Sequence, residues 1–173
     1  MNIEFTLNEL KCVEALIWII QRGETNVYNA MKILFAAEKY SLNKHAGPLL
    51  GDKYVAMQYG TVPSWTYSFT KRAEAWTGLN RDGNTLVLSP GRKFNDLYFS
   101  ECDIESLEHG FNEYAGKSFD EVMRKNHREK AWRMARKRNP ASDAPEILYE
   151  DIIDKRKKWL VEDLRETGHL ISL

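Results

Sequence analysis

The sequence predicts an α+β fold that is predominantly helical, a compact multi-helix domain with a small β-sheet or hairpin. Three observations carry that expectation. Apolar residues recur at spacings of three and four along most of the chain, which places them on one helix face. Capping residues and glycines punctuate these runs where helices start and stop. The strand-like stretches are few and short, and turn residues bound them. No internal repeat or linker divides the chain, so residues 1–173 are expected to form one domain, with an N-terminal and a C-terminal helix packed on its body.

A first helix is announced by the capping-box spacing of Thr6 and Glu9 and the staple spacing of Phe5 and Leu10. Leu10, Val13, Ile17 and Ile20 then form its stripe, and Gly23 stops it. A second helix starts after Thr25 or Asn26 and runs to about Lys44, with Gly47-Pro48 as terminator. Apolar residues nearly encircle it from Ile33 to Ala37, the pattern of a central helix. Tyr54, Val55, Ala56 and Met57 suit a strand between turns at Gly51-Asp52 and Tyr59-Gly60. Gly60 is expected at positive φ, where valine would cost roughly 1–3 kcal/mol through local strain. Pro63-Ser64 opens a helix through Trp65, Phe69 and Arg72. Asp82-Gly83-Asn84 is a turn before the strand-like Thr85-Leu86-Val87-Leu88, and Ser89-Pro90-Gly91 closes that piece. A further helix is expected with Asp103 as its cap, ending at Gly116. Ser118 and Glu121 repeat the capping-box pattern and open a helix that runs towards Arg138, where Asn139-Pro140 stops it. Ile147, Tyr149 and Ile152 lead into a last helix ending near Thr167-Gly168.

A chain of 173 residues can bury about 70% of the surface its unfolded form exposes, so it needs no metal or disulfide to fold. Cys12 and Cys102 have neither disulfide-scaffold nor metal-ligand spacing and are expected to be reduced, half-buried thiols. Lys plus Arg and Asp plus Glu number 25 each, a balance that argues against wholesale coating of nucleic acid. Glu4 and Glu9 precede the first lysine, unlike a secretory leader, and the apolar run Ala15 to Ile20 is far shorter than the roughly 20 residues that span a bilayer. A cytoplasmic protein with no membrane partner is expected.

Motifs of catalysis are absent from the sequence. The histidines, at 45, 109, 127 and 169, belong to no HExxH pattern, and neither GxSxG nor a P-loop occurs. Gly47-Pro48-Leu49-Leu50-Gly51 lacks the Lys-Ser/Thr ending of a phosphate cradle and reads as a turn into a strand. Asp52 and Asp96 are candidates for a carboxylate pair, with turn capping the plainer role for both. Met123, His127, Ala131 and Met134 share a helical stripe, which points His127 at the core as a buried imidazole satisfied by backbone or carboxylate. Trp132 points the other way on the same ideal helix. That leaves three options: a bend near Lys130, packing on a second element such as the C-terminal helix, or an exposed anchor. No catalytic, cofactor-binding or metal-ligating residue is assigned.

Residues 124–138 hold eight Lys or Arg against one Glu, and Lys155-Arg156-Lys157-Lys158 adds a second basic run. The stripe is either a solvated face or a docking surface for an acidic partner or RNA; without an RNP, KH or zinc-finger pattern, nucleic acid is the weaker option. If it is solvated, reversing Arg136 and Lys137 to Glu should change stability by less than ~0.5 kcal/mol. The candidate partner-binding residues are Trp65, Trp76, Arg124, Arg128, Trp132, Arg133, Arg136 and Lys137, since tryptophan and arginine dominate binding hot spots.

The segment KILFAAEKYSLNKHAGPLLGDKYVAMQYGTVPSWTY, residues 32–67, resembles the Panacea domain of the SocA-like and GepA-like antitoxins. The matching positions are Leu34, Gly47, Pro48, Gly51, Asp52, Tyr54, Ala56, Tyr59, Gly60, Val62, Pro63 and Tyr67. A second, looser stretch places Phe99-Ser100, Asn126-His127 and Ala131-Trp132 on family positions, with Asn126 for the usual Ser and Ala131 for the usual Pro. The resemblance spans about residues 25–154. It implies an antitoxin of a toxin–antitoxin pair, of the kind found in bacteria and phages, that neutralises a cognate toxin protein by direct binding. One family member instead delivers its toxin to the ClpXP protease, which makes a proteolytic adaptor the alternative, and a nucleic-acid-binding regulator using residues 124–138 a further one. A hydrolase built on His127 is the remaining enzymatic alternative. The family supplies no catalytic residues to carry over.

Overall fold

The computed structural model describes residues 2–72 and 75–167. In chain order its elements are α1 (Glu9–Gln21), α2 (Val27–His45), β1 (Tyr54–Met57), β2 (Gly60–Pro63), α3 (Ser64–Thr70), β3 (Leu79–Asp82), β4 (Thr85–Leu88), α4 (Glu101–Tyr114), α5 (Phe119–Asn126), α6 (Lys130–Arg138), β5 (Glu146–Ile147), α7 (Tyr149–Ile152) and α8 (Lys158–Thr167). Helices predominate, and two small antiparallel sheets complete an α+β architecture: β2-β1-β5 and the β3-β4 hairpin.

The central helix is α2. It is buried almost continuously from Val27 to Glu38, and it packs mainly along α4. Asn26 caps its start, as the sequence leads one to expect, and Ala46 in the left-handed region ends it ahead of Gly47-Pro48. At the crossing with α4 a side chain on Gly110 would run into the Ile33 carbonyl, so the two backbones come close. One apolar cluster gathers α1, α2, α3, α4 and the β3-β4 hairpin around Leu16, Ile17, Leu34, Phe69 and Leu107. A second lies around Phe35, Leu42, Tyr54, Ile147 and Leu160, joining α2 to β1, α6, α7 and α8.

Thr6 does not cap α1. Asn8 does, accepting from the Lys11 amide at 3.0 Å. Phe5 is not stapled to Leu10, which is exposed; its ring meets Tyr149 edge-on at 4.7 Å. The cause is tertiary. The segment before α1 is drawn out as a strap, with the Asn8 amide on the Leu50 carbonyl at 3.0 Å and the Ile3 amide on Glu150 Oε1 at 3.0 Å. In α4 the cap is Ser100 rather than Asp103. Asp103 is the reciprocal member of the capping box, accepting from the Ser100 amide at 2.8 Å.

The helix expected from Ser118 to Arg138 is two helices. The Ser118–Glu121 box opens α5 as expected, but α5 ends at Asn126 and α6 starts at Lys130. The chain turns between them because its side chains are held by other elements, as described below. The stripe of Met123, His127, Ala131 and Met134 is therefore broken: Ala131 is buried, His127 half-buried and Met134 exposed. The thiols are not both half-buried, since Cys12 is enclosed and Cys102 is exposed. Gly168 and His169 lie outside the described residues.

Candidate functional site

The loop between α2 and β1 is built around a buried carboxylate. Glu38, fully enclosed on α2, accepts from the Leu49 amide at 2.7 Å, the Leu50 amide at 3.0 Å and the Tyr54 hydroxyl at 2.9 Å. Burial raises the Glu38 carboxyl above its ordinary range, while these three donors act against the rise. Ser41 donates to the Gly47 carbonyl at 2.8 Å, closing the same loop. Gly51, at φ 71°, passes so close to the Thr6 carbonyl that a Cβ would not fit. Asp52 is buried and takes over the capping of α3, whose own N-cap, Pro63, has no side-chain acceptor. Its carboxylate accepts from the Trp65 amide at 3.0 Å, the Thr66 amide at 2.9 Å and the Thr66 hydroxyl at 2.7 Å. Asp96 sits on an exposed turn and does not share this environment, so the suggested carboxylate pair is replaced by a cap. Tyr149 donates to the Asp52 carbonyl at 2.6 Å, tying the loop to α7.

The tip of the β1-β2 hairpin is held by three aromatic side chains from three separate elements. The carbonyls of Met57, Gln58 and Tyr59 accept, in turn, from Trp132 Nε1 at 2.8 Å, His127 Nε2 at 2.9 Å and the Tyr28 hydroxyl at 2.7 Å. Because a carbonyl only accepts, His127 carries its proton on Nε2. The His127 and Trp132 rings stack at 4.1 Å, which fixes the turn between α5 and α6. Of the options open for Trp132, both the break before Lys130 and contact with a second element, here the β1-β2 hairpin, are observed. Beneath the tip, Asn126 is fully buried. Its Oδ1 accepts from the Thr61 amide at 2.6 Å, and its Nδ2 donates to the Thr61 hydroxyl at 3.0 Å and the Tyr114 hydroxyl at 3.2 Å. Gly60, at φ 123°, fits against this amide. Val62 lies buried in β2, and the Ala56 amide donates to the Pro145 carbonyl at 2.8 Å.

The partner-binding candidates are not on one surface. Trp76 is 67% exposed, whereas Trp65 is half-buried and stacked on Phe69 at 5.3 Å; both line a cleft of about 150 Å³ beside Leu10. Tyr67 is half-buried, with Lys71 Nζ 4.3 Å from its ring centre. Along the basic stripe, Arg124, Arg128, Arg133 and Lys137 are exposed. Arg136 is not a solvated residue. Its guanidinium donates to the carbonyls of Ala56 at 3.3 Å and of Ser142 and Asp143 at 3.4 Å. The paired reversal is thus expected to split: Arg136→Glu, by setting a carboxylate against three carbonyls, should destabilise by about 1–3 kcal/mol, while Lys137→Glu should leave the urea midpoint unchanged. Equal midpoints for the two variants would return Arg136 to the solvated face.

Two larger cavities are present among the described residues. The first, about 460 Å³, lies between α2, α4, α6 and α7, and in it Lys39 meets Glu129 at 2.6 Å and Lys130 faces Asp151 at 3.9 Å. The second, about 410 Å³, opens between the start of α2, the hairpin and the start of α5, and is lined by Tyr28, Lys32, Tyr59, Arg81, Lys117 and Phe119 among others. Lys32 is 1% exposed, and burial lowers its ammonium to about 7. Sequence reasoning passed over Lys32 and Glu38. The signal was available, because a helix expected to be apolar nearly all round must bury whatever charges it carries. Among the described residues no group of three His, Cys, Asp or Glu is placed to hold a metal ion, and no helix is long and apolar enough to cross a membrane.

The family model described as "Antitoxin SocA-like, Panacea domain" matches residues 31–133, from α2 into α6. No curated protein and no solved structure matches the chain.

Proposed function

The chain belongs to the Panacea-domain family of SocA-like antitoxins, and on that premise we propose that it neutralises a cognate toxin protein by binding it directly, copy for copy. The family match over residues 31–133 carries the reading. The geometry supports a binder over a catalyst. Of the motif residues, Asp52, His127 and Trp132 hold backbone groups of other elements and Tyr54 donates to the buried Glu38 carboxylate, structural roles that support this reading. Exposed Trp76 and the exposed arginines of α5 and α6 are the residue types that anchor protein interfaces.

The test begins with the reading frame adjacent to this one. Its product should arrest growth when expressed alone and not when this chain is co-expressed. With both proteins purified, titration should show neutralisation rising linearly to an end point near one to one. The His127→Phe variant should reach the same end point once folded, while losing about 1 kcal/mol of stability with the Gln58 contact. Complete neutralisation at one copy per hundred toxins, abolished in folded His127→Phe, would instead make the protein an enzyme.

A further inference from the structure

The second cavity holds a feature that neither the fold nor toxin binding explains. Lys32 puts an ammonium in the interior, yet the structure gives it no carboxylate. Among the described residues its contact is the face of the Tyr28 ring, 4.3 Å from Nζ. None of the lining residues is Asp or Glu. Glu24, close behind Asn29, is already engaged by the Asn26 amide at 2.9 Å, by Asn29 Nδ2 at 3.1 Å and by the Gly116 amide at 2.9 Å. Lys117 and Arg81 add two further cations to the lining. Burial without a counter-charge has lowered this ammonium to about 7, and an anion beside it in the cavity would restore its charge.

The remainder of the wall suits a flat ring. Tyr28 and Phe119 lie 4.7 Å apart, and Tyr59 meets Phe119 edge-on at 5.4 Å. Tyr59 and Phe119 are 48% and 46% exposed, and both line the cavity. Asn26, Asn84 and Gln58 bring amide donors and acceptors to the same space. A volume of about 410 Å³ accommodates a small organic molecule.

We propose that this cavity is a binding site for a nucleotide-sized organic anion, with its phosphate on Lys32 and Lys117 and its planar ring against Tyr59 and Phe119. The proposal is independent of the antitoxin reading, and its test needs no toxin. The four nucleoside 5′-monophosphates are the probes, measured by calorimetry and thermal shift on the full chain. At least one should bind with Kd of about 1 mM or tighter. The corresponding nucleoside and inorganic phosphate should each bind at least tenfold more weakly. Lys32→Met should weaken the nucleotide at least tenfold, while the unliganded variant melts at or above the wild-type temperature, since it removes a buried amine that has no counter-charge. Amide shift changes in the wild-type chain should centre on Tyr28, Lys32, Tyr59 and Phe119, a readout that survives even if Lys32→Met fails to fold. Saturating nucleotide without binding, shift changes confined to other surfaces, or equal affinity in folded Lys32→Met would each overturn the proposal.

Discussion

Gly60→Val is expected to leave the chain mostly unfolded at room temperature. Three costs fall on one site. The residue stands at φ 123°, where a β-branched side chain is strained by about 1–3 kcal/mol. Any Cβ there overlaps Asn126 Oδ1 and comes within 2.7 Å of Lys32 Cε, both enclosed, so a similar overpacking cost follows. Displacing Asn126 then strips the Thr61 amide and the Tyr114 hydroxyl of their buried partner, for another 1–3 kcal/mol or so. A total on the order of 5 kcal/mol is comparable with the whole stability of a domain this size. Gly83→Ala is the control, since Gly83 also has positive φ, 57°, but stands in open space. Its urea midpoint should move by the strain alone. Similar midpoints for the two variants would mean that the Asn126 contact contributes nothing.

Glu38→Ala should cost nearly as much, roughly 4 kcal/mol, because it leaves two amides and a hydroxyl in the interior without an acceptor. Glu38→Gln keeps an acceptor and should lose less. The two effects separate by pH. Because the folded-state pKa of Glu38 is raised, its titration contributes stability below the unfolded value, and that contribution is lost as pH rises through the folded value. Gln does not titrate, so its deficit relative to wild type should be largest in acid and shrink as pH rises. A deficit that grows with pH would show the carboxylate to be the favoured buried form.

What could be read from the sequence were features written in neighbouring residues. Asn26 before an apolar run, Gly83 in a turn ahead of the short stretch Thr85–Leu88 and the Ser118–Glu121 box each act within a few positions, and each stands in the structure as expected. The strands β2, β3 and β5 were not legible. Four residues ending in proline, four with three polar members and a mere pair have no strand signature until a partner aligns with them. The break after Asn126 was hidden for the same reason, as its causes are Thr61 and the Gln58 carbonyl, more than sixty residues away. The candidate cavity was invisible too: Tyr28, Lys32, Tyr59, Arg81 and Phe119 come together only when the hairpin folds back on α2. The resemblance located the motif positions, but only the contacts showed that they are struts.

The strap ahead of α1 has a consequence in time. Ile3 belongs to the same cluster as Ile152, Leu160 and Leu164, and its amide rests on Glu150. On a ribosome adding roughly 5–20 residues per second, that docking site emerges on the order of ten seconds after the strap itself. Through that interval Phe35, Leu42 and Tyr54 have no complete cover, although the first cluster can already close up to Val122. The nascent chain therefore carries an open apolar flank until its last helices appear, and it is during synthesis that this protein most depends on whatever shields such surfaces in the cell.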